Sequence, residues 1–248
     1  FCDIKCRQAG LTPSVAVVVA TLPALRFHGG AAKKNLTEPD PTAVGRGLKN
    51  LRRHVDNLRN HFGLPCVVAL NSFDNDSPEE LALIAATAEK HGIQIVPATH
   101  WADGGAGAVP LAEAVVAAID NTPTDFRFLY PAELPLWEKI QAIATKIYGA
   151  GSVSGNVSID REIAKLEAQS FGHLPVCIAK TQFSFSSDAS AVGLADGHTL
   201  KVREVRLSAG AGFIVVICGD IMTMPGLPKE PSASGFDLDK TGMITGLS

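Results

Sequence analysis

The chain has 248 residues, with 22 Lys+Arg against 25 Asp+Glu and a formal net charge of −3. A hydrophobic share of 46% and only 19% charged residues exclude a disordered chain, and the near-neutral balance provides no basic field for non-specific nucleic-acid binding. The length suits one large domain or two modest ones. The apolar run 15–20 is six residues long, where a bilayer-spanning helix needs about 20, so no membrane segment is expected.

The five cysteines, Cys2, Cys6, Cys66, Cys177 and Cys218, are odd in number, and the last three sit inside apolar runs. This pattern reads as free thiols in a reducing cytoplasm. Cys2 and Cys6 have no matching second pair, so no zinc site or other metal site is expected. There is no signal peptide. The text opens at Phe1 in mid-pattern, and a piece of a longer protein is expected.

Residues 15–20 are a β-branched run bounded by Pro13 and Thr21, and predict a strand buried on both faces of a parallel sheet. Residues 21–34 read as a Gly/Lys loop containing His28, Gly29, Gly30, Lys33 and Lys34. Pro39 and Pro41 then open a helix. Val44, Leu48, Leu51, Val55, Leu58 and Phe62 step by four and three and form one apolar stripe, which Gly63 ends. Residues 66–70 predict a second strand. Ser77, Pro78 and Glu80 fit a capped helix start, with the helix over 78–91 ending at Gly92. A third strand at 93–96, a loop at 98–107 and a helix near 111–119 follow. The β–α order predicts an open, mostly parallel α/β sheet with flanking helices.

After Thr122-Pro123 the pattern changes. Helices over 133–148 and 158–169 precede strand-like runs at 175–179, 199–207 and 213–218, and a Pro/Gly-rich tail starts at 222. The expected division is 1–122 as the α/β part and 123–248 as a smaller α+β part.

Ligands of open parallel sheets sit beyond the carboxyl ends of the strands. The loops 71–76 and 98–107 leave two of those ends and carry Phe73 and Trp101, one α/β unit apart. Two aromatic faces there form a slot for a flat heterocycle, with stacking worth about 0.5–1.5 kcal/mol per pair beyond area burial. The plainer alternative is that both rings plug the sheet end. Gly104, Gly105 and Gly107 precede a helix and suit either close ligand approach or a tight turn. The helix 45–61 has a local excess of four positive charges, and Arg52 and Arg53 are candidates for an anion such as a phosphate or glutamate tail; a solvated face is the alternative. His28, His54 and His100 lack metal-ligand spacing. No G-x-x-x-x-G-K-[ST] phosphate loop is present. The 21–30 loop also lacks the glycine fingerprint of a nicotinamide dehydrogenase.

Several strings carry a resemblance. They are Asp3-Ile4-Lys5-Cys6-Arg7, His28-Gly29-Gly30, Trp101-Ala102-Asp103-Gly104-Gly105, Ala179-Lys180-Thr181-Gln182, Ser208-Ala209-Gly210-Ala211-Gly212-Phe213 and the long string from Ile221 to Pro228. Together they resemble formate–tetrahydrofolate ligase, also called 10-formyltetrahydrofolate synthetase, over essentially the whole chain, as its C-terminal portion. The resemblance implies an enzyme in which ATP, as its magnesium complex, phosphorylates formate and tetrahydrofolate N10 accepts the formyl group. It implies that Phe73, in an Asn-x-Phe loop beginning at Asn71, and Trp101, followed by Gly104 and Gly105, sandwich the pterin. It also implies that Gly193, Ala195 and Asp196 meet the adenine end of the nucleotide. The segment departs from the family pattern by lacking an expected Pro; Pro23 and residues 187–190 depart too. A missing N-terminal half, a homo-oligomer, a monovalent cation and an inactive isolated chain are further implications, with neither nucleic acid nor membrane as a partner. A non-catalytic module of the same fold, holding a folate or a partner chain, is the alternative.

Overall fold

The computed structural model describes residues 1–73, 76–181, 184–188, 190–191, 193–219 and 230–246. The string from Ile221 to Pro228 and residue Gln182 lie outside these, as does Ala189. A π-helical turn, Cys2–Cys6, runs into the short helix α1 (Arg7–Ala9). Asp3 accepts from the Leu129 amide at 2.9 Å, and Arg7 donates to the Tyr130 carbonyl at 2.7 Å. The opening residues are thereby tied to the chain beyond residue 122.

Strand β1 (Ala16–Ala20) follows, and then, where one loop is expected, helix α2 (Leu22–His28). The reading of 21–34 as loop needs correcting for this stretch. Thr21 caps the helix by accepting from the Ala24 amide at 3.2 Å, and Pro23 lies in the first turn, where its missing N–H has no intrahelical partner to lose. Leu22 and Leu25 are buried beneath it.

Helix α3 (Pro41–Asp56) starts on Asp40, which accepts from the Ala43 amide at 2.8 Å, and buries Val44, Leu48, Leu51 and Val55 along the predicted stripe. It continues as a π turn, Asn57–His61, to Gly63 at φ +66°. Strand β2 (Cys66–Asn71), helix α4 (Pro78–Lys90) and strand β3 (Gln94–Ala98) complete a parallel sheet of order β1-β2-β3. Its register pairs Ala20 with Leu70 and Asn71 with Ala98.

The α4 start differs from the capping-box expectation. The Ser77 side chain makes no cap bond, and Glu80 turns inward. Its carboxylate accepts from Arg26 at 2.9 and 2.5 Å and from the Asp40 amide at 2.7 Å, while the same guanidinium donates to the Leu36 carbonyl at 2.8 Å. Both side chains are essentially inaccessible. Burial opposes ionisation of Glu80, but these bonds outweigh it and hold the carboxyl below its usual range.

The expected 98–107 loop is also mostly helical: α5 (His100–Asp103), a 3₁₀ turn Gly104–Ala108, then α6 (Val109–Asn121). The helical stretch His100–Asn121 contains an 18-residue window with a mean hydropathy of 1.3, and by length and composition alone it could cross a bilayer, which the six-residue run at 15–20 does not reveal. In this fold α6 instead packs on β2 and β3, with Ala114 buried.

A second unit follows α7 (Leu136–Ala142), which winds on as a π turn to Ile147. It consists of β4 (Ser152–Ser154), α8 (Val157–Ala168), β5 (Val176–Ala179), β6 (Thr199–Ser208) and β7 (Phe213–Cys218). The sheet order is β4-β6-β7-β5, with β6 and β7 antiparallel and the outer pairs parallel. Asn156 caps α8 by accepting from two amides. A small antiparallel ribbon, β8 (Asp237–Leu238) and β9 (Ile244–Thr245), lies in the tail.

Two apolar cores result. One joins β1–β3 to α2, α3 and α4; the other joins the mixed sheet to α7 and α8. All five cysteines are free thiols, with Cys6, Cys66 and Cys218 buried and Cys2 and Cys177 half-buried.

Candidate functional site

The level ends of β2 and β3 place both aromatic residues on neighbouring strands at the carboxyl side of the sheet. Asn71 closes β2, and the next residue already bonds across, Ser72 N–H to the Ala98 carbonyl at 3.1 Å. Phe73 follows in a turn in which its amide donates to the Asp76 carboxylate and its carbonyl accepts from the Asp76 amide, both at 3.0 Å. The residue is 45% exposed. Trp101 sits in α5, three residues beyond β3, and is 83% exposed. Neither ring plugs the sheet end.

The three glycines after Trp101 differ in what they do. Gly104 has φ +59°, a region that L side chains avoid, and ends α5. A Cβ on Gly107 would lie 2.5 Å from the Thr99 backbone, and Thr99 N–H donates to the Gly107 carbonyl at 3.1 Å. These two therefore close the turn. Gly105 faces open space. Beside them lies an open cavity of about 610 Å³ lined by Pro97, Thr99, Asp103, Ala106, Gly107 and Pro110.

The basic helix is less free than its composition suggests. Arg46 donates to the Gly29 carbonyl at 2.6 Å and Arg59 to the Gly92 carbonyl at 3.0 Å. Arg52 pairs with Asp56 at 3.2 Å, one turn along. Arg53 pairs with Asp196 at 2.5 Å, which joins the anion-site candidate to the nucleotide-site candidate. With Lys49 and Leu194, the side chains of Arg52, Arg53 and Asp56 line a cavity of about 310 Å³. Gly193 at φ +90° lies so close to the chain that a Cβ would stand 2.6 Å from the His28 carbonyl. Ala195, two residues further on, is half-buried.

Next to this seam are groups that the sequence did not single out individually. Lys180 stacks its ammonium over the Tyr148 ring at 4.7 Å and donates to the carbonyls of Thr181 and Ser184. Burial pushes its pKa down to about 8. Both ring nitrogens of His198 are buried without a hydrogen-bond partner, and burial lowers its pKa, with the Lys180 charge adding to the effect. Among the described residues no group of three His, Cys, Asp or Glu side chains is gathered to hold a metal ion.

The fold and this crevice define an open parallel α/β protein whose candidate ligand site lies beyond the carboxyl ends of its strands. The family model described as formate–tetrahydrofolate ligase matches residues 1–248, and the chain belongs to that family. It is 51% identical over 250 residues to the formate–tetrahydrofolate ligase of Methylibium petroleiphilum, covering all of this chain and 45% of that protein. The corresponding figures are 52% over 249 residues, and 44% of the protein, for the ligase of Nocardioides sp.. For Granulibacter bethesdensis they are 49% over 247 residues and 43%. The chain thus spans less than half the length of these curated relatives.

Proposed function

We propose that this chain supplies the tetrahydrofolate end of a formate–tetrahydrofolate ligase, as the C-terminal portion of a longer enzyme. In the reaction, formate oxygen attacks the terminal phosphorus of ATP, giving formyl phosphate and ADP. N10 of tetrahydrofolate then attacks the formyl carbon, phosphate leaves, and N10 loses its proton. Phosphorylation is needed because formate alone would have to expel an oxide. The protein's part is positioning and charge stabilisation.

The observation that supports this reading is the pair of solvent-facing rings beyond level, adjacent strand ends. Trp101 and Phe73 grip the pterin, with Asn71, Gly104 and Gly105 around it. Gly193, Ala195 and Asp196 meet the adenine end of the nucleotide, with Arg53 fixing Asp196. Arg52 lies at the same seam for an anionic tail. Among the described residues no group of three His, Cys, Asp or Glu side chains is gathered, and no step here is routed through magnesium or a monovalent cation. The complete enzyme is a homo-oligomer of the cytoplasm, in which residues 1–122 belong to the α/β folate/nucleotide domain and 123–248 form the smaller C-terminal α+β domain.

In the longer enzyme, Trp101→Ala raises the tetrahydrofolate KM about tenfold and leaves the ATP KM within about twofold. Equal change in both constants overturns the assignment. The sequence contains no phosphate loop of the G-x-x-x-x-G-K-[ST] type. The isolated 248-residue chain therefore makes no 10-formyltetrahydrofolate from ATP, formate and tetrahydrofolate, and turnover by it would refute that part of the proposal.

A further inference from the structure

The two faces of the β1-β2-β3 sheet are covered unequally. On one face Val18, Ala20, Val68, Leu70 and Ile95 pack under α3 and α4. Sequential right-handed crossovers put both helices on that same side. The opposite face has α6, which packs on β2 and β3. There Val67 and Ala69 are buried at 0% and 2% exposure. Their register partners on β1, Val17 and Val19, point the same way but are 43% and 62% exposed. The apolar floor thus stops being covered between one strand and the next.

The edge is open as well. β1 pairs with β2 on one side, and no described strand lies on the other. Parallel strands are ordinarily covered on both faces, and an exposed valine-rich edge invites strand addition. This chain spans only 43–45% of its relatives' length, so more than half of such a ligase lies outside it. We infer that the outer edge of β1 and the bare face at Val17 and Val19 are the seat for the rest of the ligase polypeptide, which adds a strand beside β1 and lays an apolar helix over the two valines. This inference rests on the reading of the chain as part of a longer ligase. It concerns assembly, whereas that reading concerns the folate crevice at the strand ends.

The test mixes the 248-residue chain with the portion of the Methylibium petroleiphilum ligase outside the matched 45%, made as a separate polypeptide. A complex forms, and amide hydrogen exchange at residues 16–20 slows at least tenfold within it, because the β1 amides pointing away from β2 gain partners. Val19→Asp weakens that complex at least tenfold. Val157→Asp, at a 64% exposed position on α8, changes it less than twofold. Circular dichroism checks that both variants fold, and the exchange result on the unaltered chain stands without them. No complex, a complex that leaves residues 16–20 unprotected, or unchanged binding by folded Val19→Asp overturns the inference. Protection of the same residues by self-association of the chain alone also overturns it, since a second copy is then the occupant. None of these outcomes bears on the Trp101→Ala kinetics, which separately decide the folate reading.

Discussion

The two sheets solve the same burial problem differently. The mixed sheet closes its core between α7, α8 and its own strands, and its inward residues Leu136, Ile140, Leu200, Ile214 and Val216 have no solvent exposure. The parallel sheet is fully covered on one face only, since α6 covers β2 and β3 on the other and leaves β1 bare. It exposes Val17 and Val19 on the other and holds two aromatic rings in solvent at its carboxyl ends. Bare apolar surface costs solubility and folding free energy unless something covers it. A closed core therefore reports stability, whereas the open sheet reports where ligand and partner surfaces belong.

The sharpest way to test this contrast is at the ion pair that braces the open unit. Glu80→Ala leaves the inaccessible Arg26 guanidinium without its carboxylate and costs about 3–5 kcal/mol in urea unfolding. A loss under 1 kcal/mol would show that the helices, not the pair, hold this layer.

Next in size is a helix contact within the same unit. A Cβ at Gly47 would stand 2.0 Å from the Leu25 carbonyl oxygen, so Gly47→Ala forces α2 and α3 apart at about 1–3 kcal/mol. Gly45→Ala, two residues earlier, meets only Leu83 at 3.7 Å and gains up to about 1 kcal/mol from helix propensity. Opposite signs are the expected result in parallel denaturation curves.

The closed unit is tested by pH. Lys139 is fully buried on α7 and donates to the carbonyls of Gly172 at 2.6 Å and Leu174 at 3.1 Å. Burial lowers its pKa to about 8 from the ordinary 10.5. Between these values the unfolded chain binds more protons, so stability rises as pH increases above 8. Above 9.0 the buried thiols oppose this, because Cys66 and Cys218 are raised to about 11 and about 12. The urea midpoint therefore rises from pH 7.5 to 9. Lys139→Met reduces that slope without abolishing it, since Lys180 titrates near 8 with the same sign. An unchanged slope would remove Lys139 from the account.

The smallest effect is at the seam. Arg53–Asp196 is partly solvent-exposed on both sides, so Arg53→Ala changes stability by less than about 1 kcal/mol, and less still in high salt. A larger loss would mean that the two units depend on this pair for their junction.

Much of the framework was legible because local pattern carried it. The β-branched run before Thr21 and the apolar stripe from Val44 to Leu58 fix a strand and a helix without reference to anything distant. Helix α2 was hidden because the glycines and lysines at its end and beyond made the whole stretch 21–34 read as loop, although seven residues suffice for about two turns. Glu80 was misread because a capping box and a buried ion pair call for the same residue. Its partner Arg26 lies 54 positions away, beyond any local pattern. Strand β4 is only three residues long and has no period to detect. At the site, one α/β repeat sufficed to bring Phe73 and Trp101 to adjacent strand ends. The pairing of Arg53 with Asp196, 143 positions apart, was legible nowhere.

The level rung between Asn71 and Ala98 also has a consequence for how such a crevice can change. With both strands ending together, the gap between the rings is set by the few residues that follow each strand. Trp101 rides on a helical turn, so inserting one residue between Thr99 and Trp101 swings the indole by about 100° and carries it about 1.5 Å along the axis. Single-residue insertions and deletions at that point, more than substitutions, are the coarse adjustment of aperture, and a lineage that tolerates one has traded this opening for another.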